Sequence, residues 1–264
     1  MDSDNLGKSI LESMGFDVIT LEVKPNAKQA DFLCSKSAQL YIVEAKLKVD
    51  DKVIVNERDD TLSRGEVFVS EGKQGRHEAV ATIIRSIAHQ LRATSKLYPD
   101  AFKLGLVISS GINVPTKSDN ILDTIYGRTR IFDAETNSLK CCYFFYHSEF
   151  YRRAKDIDGI IEGIVKCDGS IHLQLCLNPY SKNYAQLRVS SLATILSASI
   201  VDPNEEEKLG NAYLPDHNIE RSKRNELNLI PMYNPMNHHL SRKYGKKLLI
   251  NVDFNTPEFS AQVP

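Results

Sequence analysis

Asp31, Glu44 and Lys46 are the side chains of this chain best suited to act together chemically. They lie in one stretch, ADFLCSKSAQLYIVEAKLK, from Ala30 to Lys48. Tyr41, Ile42 and Val43 are good strand formers, so Leu40 to Leu47 is predicted to be a strand. Side chains alternate along a strand. Ile42, Glu44 and Lys46 then share one face, and Tyr41, Val43, Ala45 and Leu47 share the other. Asp31 to Cys34 suits a preceding strand, and Ser35 to Gln39 suits a hairpin turn. With Ser37 and Ala38 at the centre of that turn, Asp31 falls opposite Glu44. Facing Cβ atoms in an antiparallel pair are about 4.5–5.5 Å apart, and like charges there repel. A divalent cation relieves the conflict. Mg²⁺ favours carboxylate and carbonyl oxygens, keeps several waters and takes substrate phosphate oxygens as further ligands.

An Asp, a hairpin and a Glu-x-Lys at the end of an apolar strand resemble the PD-(D/E)XK phosphodiesterase superfamily. That group includes restriction endonucleases, junction resolvases and many repair and defence nucleases. The resemblance covers roughly the first 110 residues. It implies that Asp31, Glu44 and the backbone carbonyl of Ala45 hold Mg²⁺ or Mn²⁺, and that Lys46 orients or deprotonates the attacking water. Ala30 stands where the pattern often has proline. Related nucleases often carry a supporting Glu on the first helix, which singles out Glu12. A polar residue from a later helix can also face the site, which singles out Gln90 and His77. On a helical wheel Glu12 falls opposite the apolar centre, which favours an ordinary solvated glutamate.

Elements are needed to position these residues. Asp4 to Met14 is predicted to be a helix ended by Gly15, with Ser3 or Asp4 as its cap. Phe16 to Val23 follows as a strand, and Pro25 and Asn26 turn the chain. Val49 to Gly75 is polar and mostly acidic. Within it Val53–Val55 and Glu66–Val69 read as short strands that pair as a hairpin arm, serving either as a lid or recognition loop or as plain decoration. Arg76 to Leu97 carries the clearest helical stripe: Val80, Ile83, Ile84, Ile87 and Leu91. Arg85, His89, Arg92 and Lys96 recur on its opposite side. They are candidates for contact with a nucleic-acid backbone, or form a solvated face.

Further on, Leu104 to Ser109 and Cys141 to Tyr146 read as buried strands. Ser118 to Tyr126 reads as a short helix. Ser148 to Lys166 is read as containing a helix from about Glu149, broken at Gly159. Ile171 to Leu177 is a strand, and Asn183 to Ser197 a further helix. After Asp202 prolines punctuate the chain, and only Lys247 to Phe254 looks strand-like. Arg221, Lys223, Arg224, Arg242, Lys243, Lys246 and Lys247, interleaved with Tyr213, Tyr233 and Tyr244, make this region locally basic. It suits contact with a single strand or phosphate, and equally an arm packing on a protein partner or a second copy.

Composition sets the outer limits. Over 264 residues the chain is 42% hydrophobic and 25% charged, which is ordinary for a packed globular core. The net charge of −1 means that any nucleic-acid surface must be local. The five cysteines, Cys34, Cys141, Cys142, Cys167 and Cys176, lack metal-ligand spacing and do not make a disulfide framework. No apolar run approaches a membrane span, so no membrane association and a cytoplasmic location are expected. There is no GxxxxGK[ST] or GxGxxG loop, no GxSxG and no HExxH.

The expected architecture is α/β: a mixed central β-sheet flanked by helices over residues 1–200, a restriction-endonuclease-like core by resemblance. A basic, irregular C-terminal extension follows over 201–264. The expected activity is Mg²⁺- or Mn²⁺-dependent hydrolysis of nucleic-acid phosphodiesters, with DNA ahead of RNA. Repair and defence against phage or mobile elements are the settings the resemblance implies. The alternative is a non-catalytic module of the same shape that binds nucleic acid or a partner protein.

Overall fold

The computed structural model describes residues 3–21, 29–73, 75–166, 168–221, 234–252 and 255–260. In chain order the elements are α1 (Ser3–Ser13), β1 (Asp17–Thr20), β2 (Phe32–Lys36), β3 (Gln39–Lys48), α2 (Lys52–Ser63), β4 (Phe68–Lys73), α3 (Glu78–Thr94), β5 (Phe102–Ser109), α4 (Val114–Tyr126), β6 (Thr129–Asp133) and β7 (Ser138–Cys142). They continue with α5 (Glu149–Arg152), β8 (Gly159–Val165), β9 (Ile171–Leu177), α6 (Tyr184–Arg188), α7 (Ser191–Ile195), β10 (Ile200–Val201), α8 (Pro203–Lys208), β11 (Ala212–Tyr213), α9 (Pro235–Lys243), β12 (Leu249–Val252) and β13 (Asn255–Ser260).

The central seven-stranded sheet runs β1-β2-β3-β5-β8-β9-β10. The β1–β2, β2–β3 and β8–β9 pairs are antiparallel, and β3–β5–β8 are parallel. The architecture is thus the mixed α/β sheet that the sequence led us to expect. One face of the sheet packs Ile42, Val107 and Ile160 under Val80, Ile84, Ile87 and Leu91 of α3 and Ile121 and Ile125 of α4. The other packs Val43, Ala45, Leu104 and Leu106 against Ile10 and Leu11 of α1 and Leu187 and Leu192 of α6 and α7. A second sheet, β11-β7-β6-β12, closes with α9 over Ile131, Phe145, Met236 and Leu240.

Several segments depart from what their sequence suggested. Residues 52–63 form a helix rather than one arm of a hairpin. The Asp51 carboxylate caps it by accepting from Val53 N–H at 2.9 Å; none of its side chains is buried, and Val53 and Ile54 are exposed. The strand β4 takes its partner from the far end of the chain, β13. Residues 159–165 are not a helix but β8, in the middle of the large sheet. A strand buried on both faces loses the alternation that would have marked it. The Cys141–Tyr146 strand stops at Cys142, because Phe144 adopts φ 56°. That turn sends Tyr143 and Phe144 into the core under α3 and α4, while Phe145 and Tyr146 enter the core of the second sheet. The segment 183–197 splits into α6 and α7, since Ser190 leaves the first helix to accept from Ala193 N–H. α4 begins earlier than Ser118, at Val114.

From 201 onward the chain supplies β11, α9 and β12 to the second sheet, and much of its basic character serves that packing. Lys246 pairs with Asp133 at 2.8 Å and Lys243 with Glu207 at 2.7 Å, while buried Arg221 donates to the carbonyls of Phe144, His217 and Asp216. Lys223, Arg224 and Tyr233 lie outside the described residues, as do Val23, Pro25, Asn26 and Cys167.

Candidate functional site

The hairpin forms as its residue types dictate. Ser37 and Ala38 take φ 50° and 61°, a two-residue turn whose twist matches the flanking strands. The register then pairs Phe32 with Val43 and Leu33 with Ile42, and continuing it by one step sets Asp31 against Glu44. Asp31 lies just before the first residue of β2, half-buried. Its Oδ2 accepts from Ala45 N–H at 2.8 Å.

Two helices hold this arrangement from opposite sides. Thr94 Oγ1 of α3 accepts from Ala30 N–H at 2.7 Å, and Gln90 donates to Gln29 O at 3.4 Å. Both fix the approach to Asp31, so Gln90 supports the site through backbone rather than by facing it. On the other side α1 crosses β3 at Gly7. A Cβ there would lie 2.9 Å from Ala45 Cβ and 3.2 Å from the Phe32 ring. Only a glycine lets the helix come that close.

Glu44 is fully buried. Lys46, half-exposed, makes an ion pair with its Oε1, but the approach is not that of a hydrogen bond. The carboxyl also lies close enough to Asp31 to share a proton with it, but neither Glu44 oxygen has a well-aligned donor among the described residues. A buried charge without such support is costly, and the proton affinity shows it. Burial pushes the Glu44 carboxyl from 4.5 up to about 8, the Asp31 carboxylate adds to the rise, and Lys46 opposes it. Burial also raises Asp31, against the Ala45 N–H and Lys46, while Asp4 of α1 raises it further.

Asp4 is the acid on α1 that faces this end of the site, a position the sequence had offered to Glu12. At about 100° per residue Asp4 lies about 60° from Gly7 around the helix, whereas Glu12 lies about 140° away. Glu12 is exposed and pairs with Lys8 at 3.8 Å. The geometry of Gly7, not composition, identifies which end of α1 meets β3.

The basic stripe of α3 looks elsewhere. Gln90 and Thr94 point to the Asp31 side, and Arg85, His89 and Arg92 lie about 100–180° around the helix from them. Arg92 grips Asp156, with Nε to Oδ1 at 2.8 Å, and Arg85 pairs with Glu78 at 3.4 Å. His89 and Lys96 are exposed, Lys96 beyond the end of α3. His77 stands at the N-terminus of α3, where its N–H donates to Thr124 Oγ1 at 3.0 Å.

A further buried acid was hidden by reading its segment as a helix. Glu162 of β8 lies on the same sheet face as Lys46, with Val107 between them. It is fully buried, accepts from Gln174 and is pushed up to about 7 by burial.

Two carboxyl groups set close together, one of them fully buried, suit a hard divalent cation. The described residues contain no group of three or more His, Cys, Asp or Glu side chains that could hold a metal ion. Among the described residues no helix is long and apolar enough to cross a membrane. Comparison of the chain with family models, with curated proteins and with solved structures gives no match.

Proposed function

We propose that this chain is a divalent-cation-dependent nuclease whose centre is Asp31, Glu44 and Lys46. The observation that carries the reading is the fully buried Glu44 carboxyl, set close against the Asp31 carboxyl and paired with Lys46. A fold tolerates such an arrangement when a ligand completes it. Asp31 and Glu44 would hold Mg²⁺ or Mn²⁺, with the Ala45 carbonyl as a third oxygen. Such an ion acidifies bound water and offsets charge on a phosphate.

The chain's own groups do the rest. The Ala45 N–H fixes one Asp31 oxygen and leaves the other to bind. α3 holds the backbone of Gln29 and Ala30, so Asp31 does not swing away. Burial of Glu44 excludes water from the inner side, which strengthens every electrostatic contact there. Lys46 reaches from the buried acid toward solvent, where its ammonium can meet a phosphate oxygen and steady the negative charge that grows in the transition state. DNA stands ahead of RNA as substrate on the superfamily resemblance alone.

The experiment is incubation of purified protein with plasmid, linear DNA, single strands and RNA, with and without Mg²⁺ or Mn²⁺. Cation-dependent cleavage, lost in Asp31→Asn and Glu44→Gln, is expected. Binding without cleavage under every cation would leave the non-catalytic module instead.

A further inference from the structure

The strand face that carries Glu44 and Lys46 continues to Lys48. Two residues along β3 is a step of about 6.6 Å, comparable to the separation of neighbouring phosphates along a nucleic-acid strand. Lys48 is half-buried and makes no ion pair among the described residues. Its surroundings carry both signs. Lys117 of α4, 8% exposed, opposes its charge and Asp50 favours it, while His77 at the start of α3 feels Lys48 in turn.

The nearby acid is already committed. Asp50 binds Lys117 Nζ at 2.5 Å through Oδ1 and accepts from Ile112 N–H at 2.5 Å through Oδ2. Lys117 also donates to Ser110 O at 2.6 Å, and Ser110 N–H donates to Lys48 O at 3.2 Å. The loop after β5 and the end of β3 are thus bolted together, and the Lys48 ammonium, though Asp50 lies near, has no direct ion pair among the described residues. Glu78, which pairs with Arg76 and Arg85, is the other acid close to His77.

One face of one strand therefore bears two charge conflicts in sequence. Asp31 and Glu44 repel each other and call for a cation. Lys48 repels Lys117 and calls for an anion. We infer that Lys48, with His77 beside it, binds the phosphate adjacent to the one held over Lys46 and the cation. This inference rests on the nuclease reading and adds the line along which the substrate strand runs, parallel to β3.

The test pairs protein variants with neutral linkages. Oligonucleotides carrying one methylphosphonate at successive positions are bound, in Ca²⁺, to wild type, to Lys48→Met, which keeps most of the apolar stem, and to Lys48→Arg. In wild type one neutral linkage next to the scissile position should weaken binding about tenfold, the scale of one charge-assisted hydrogen bond. Lys48→Met should lose the same tenfold on the all-phosphate strand, lower the salt slope by about 0.7–0.9, and show no further loss at that linkage. Lys48→Arg should restore the sensitivity. If the losses simply multiply at every linkage scanned, Lys48 holds no phosphate and the inference fails, while cleavage by wild type keeps the nuclease reading intact. If wild type neither binds nor cuts any strand, both fall together.

Discussion

Replacing Glu44 by glutamine gives the sharpest test of why this site is built as it is. The side chain keeps its shape and loses its charge. In the folded protein without cation, the carboxyl holds its proton up to about pH 8, whereas its ordinary value is 4.5. Between those values the folded state binds a proton that the unfolded chain has released. Stability must then fall as pH rises through this window and level off above it. A tenfold difference in proton affinity is worth about 1.4 kcal/mol, so the ceiling on the loss is about 5 kcal/mol. Relaxation around Lys46 would leave about 2–4 kcal/mol. The assay is urea unfolding in EDTA at about pH 5 and about pH 8.5. Wild type should lose about 2–4 kcal/mol more than Glu44→Gln between the two. Millimolar Mg²⁺ should restore wild type at the higher pH, because it binds the ionised pair, and should do little for Glu44→Gln. Parallel pH profiles for the two proteins would refute the claim that Glu44 is a buried acid whose charge Lys46 only partly offsets.

Other substitutions probe the supports. Lys46→Ala should keep the fold and most substrate affinity while lowering single-turnover cleavage about 10²-fold or more; an unchanged rate removes Lys46 from the chemistry. Ala38→Gly should raise stability by about 0.5–1 kcal/mol, since a left-handed alanine costs about 1–2 kcal/mol and the freer unfolded glycine gives part of that back. No gain in urea midpoint would count against the turn. Gly7→Ala should destabilise by about 1–3 kcal/mol through overpacking, although alanine is the better helix former, and should weaken Mg²⁺ binding measured by calorimetry, because Ala45 carries the N–H that holds Asp31. A stabilised Gly7→Ala protein would show that α1 does not press on β3 there.

The relative placement of the candidate residues was legible in the sequence because it is local. A strand's two-residue period and a two-residue turn are enough to put Asp31 opposite Glu44 and Lys46 on the same face, and the hairpin register bears this out. The α3 stripe was legible for the same reason, since a helix's period declares its buried side. What surrounds the site was settled by contacts between residues far apart in sequence. Whether Ile160 to Val165 is helix or strand depended on β5 and β9 offering hydrogen bonds on both sides. That in turn decided that Glu162 is buried on the Lys46 face. The partner of β4 lies nearly two hundred residues away in β13, so no local pattern around Val53 could announce it. Arg92 and Lys48 look alike as letters, each a cation on a regular element. The fold alone separates them: a bend before β8 hands Arg92 the Asp156 carboxylate, while Asp50 pairs directly with Lys117 and Lys48 has no ion pair among the described residues.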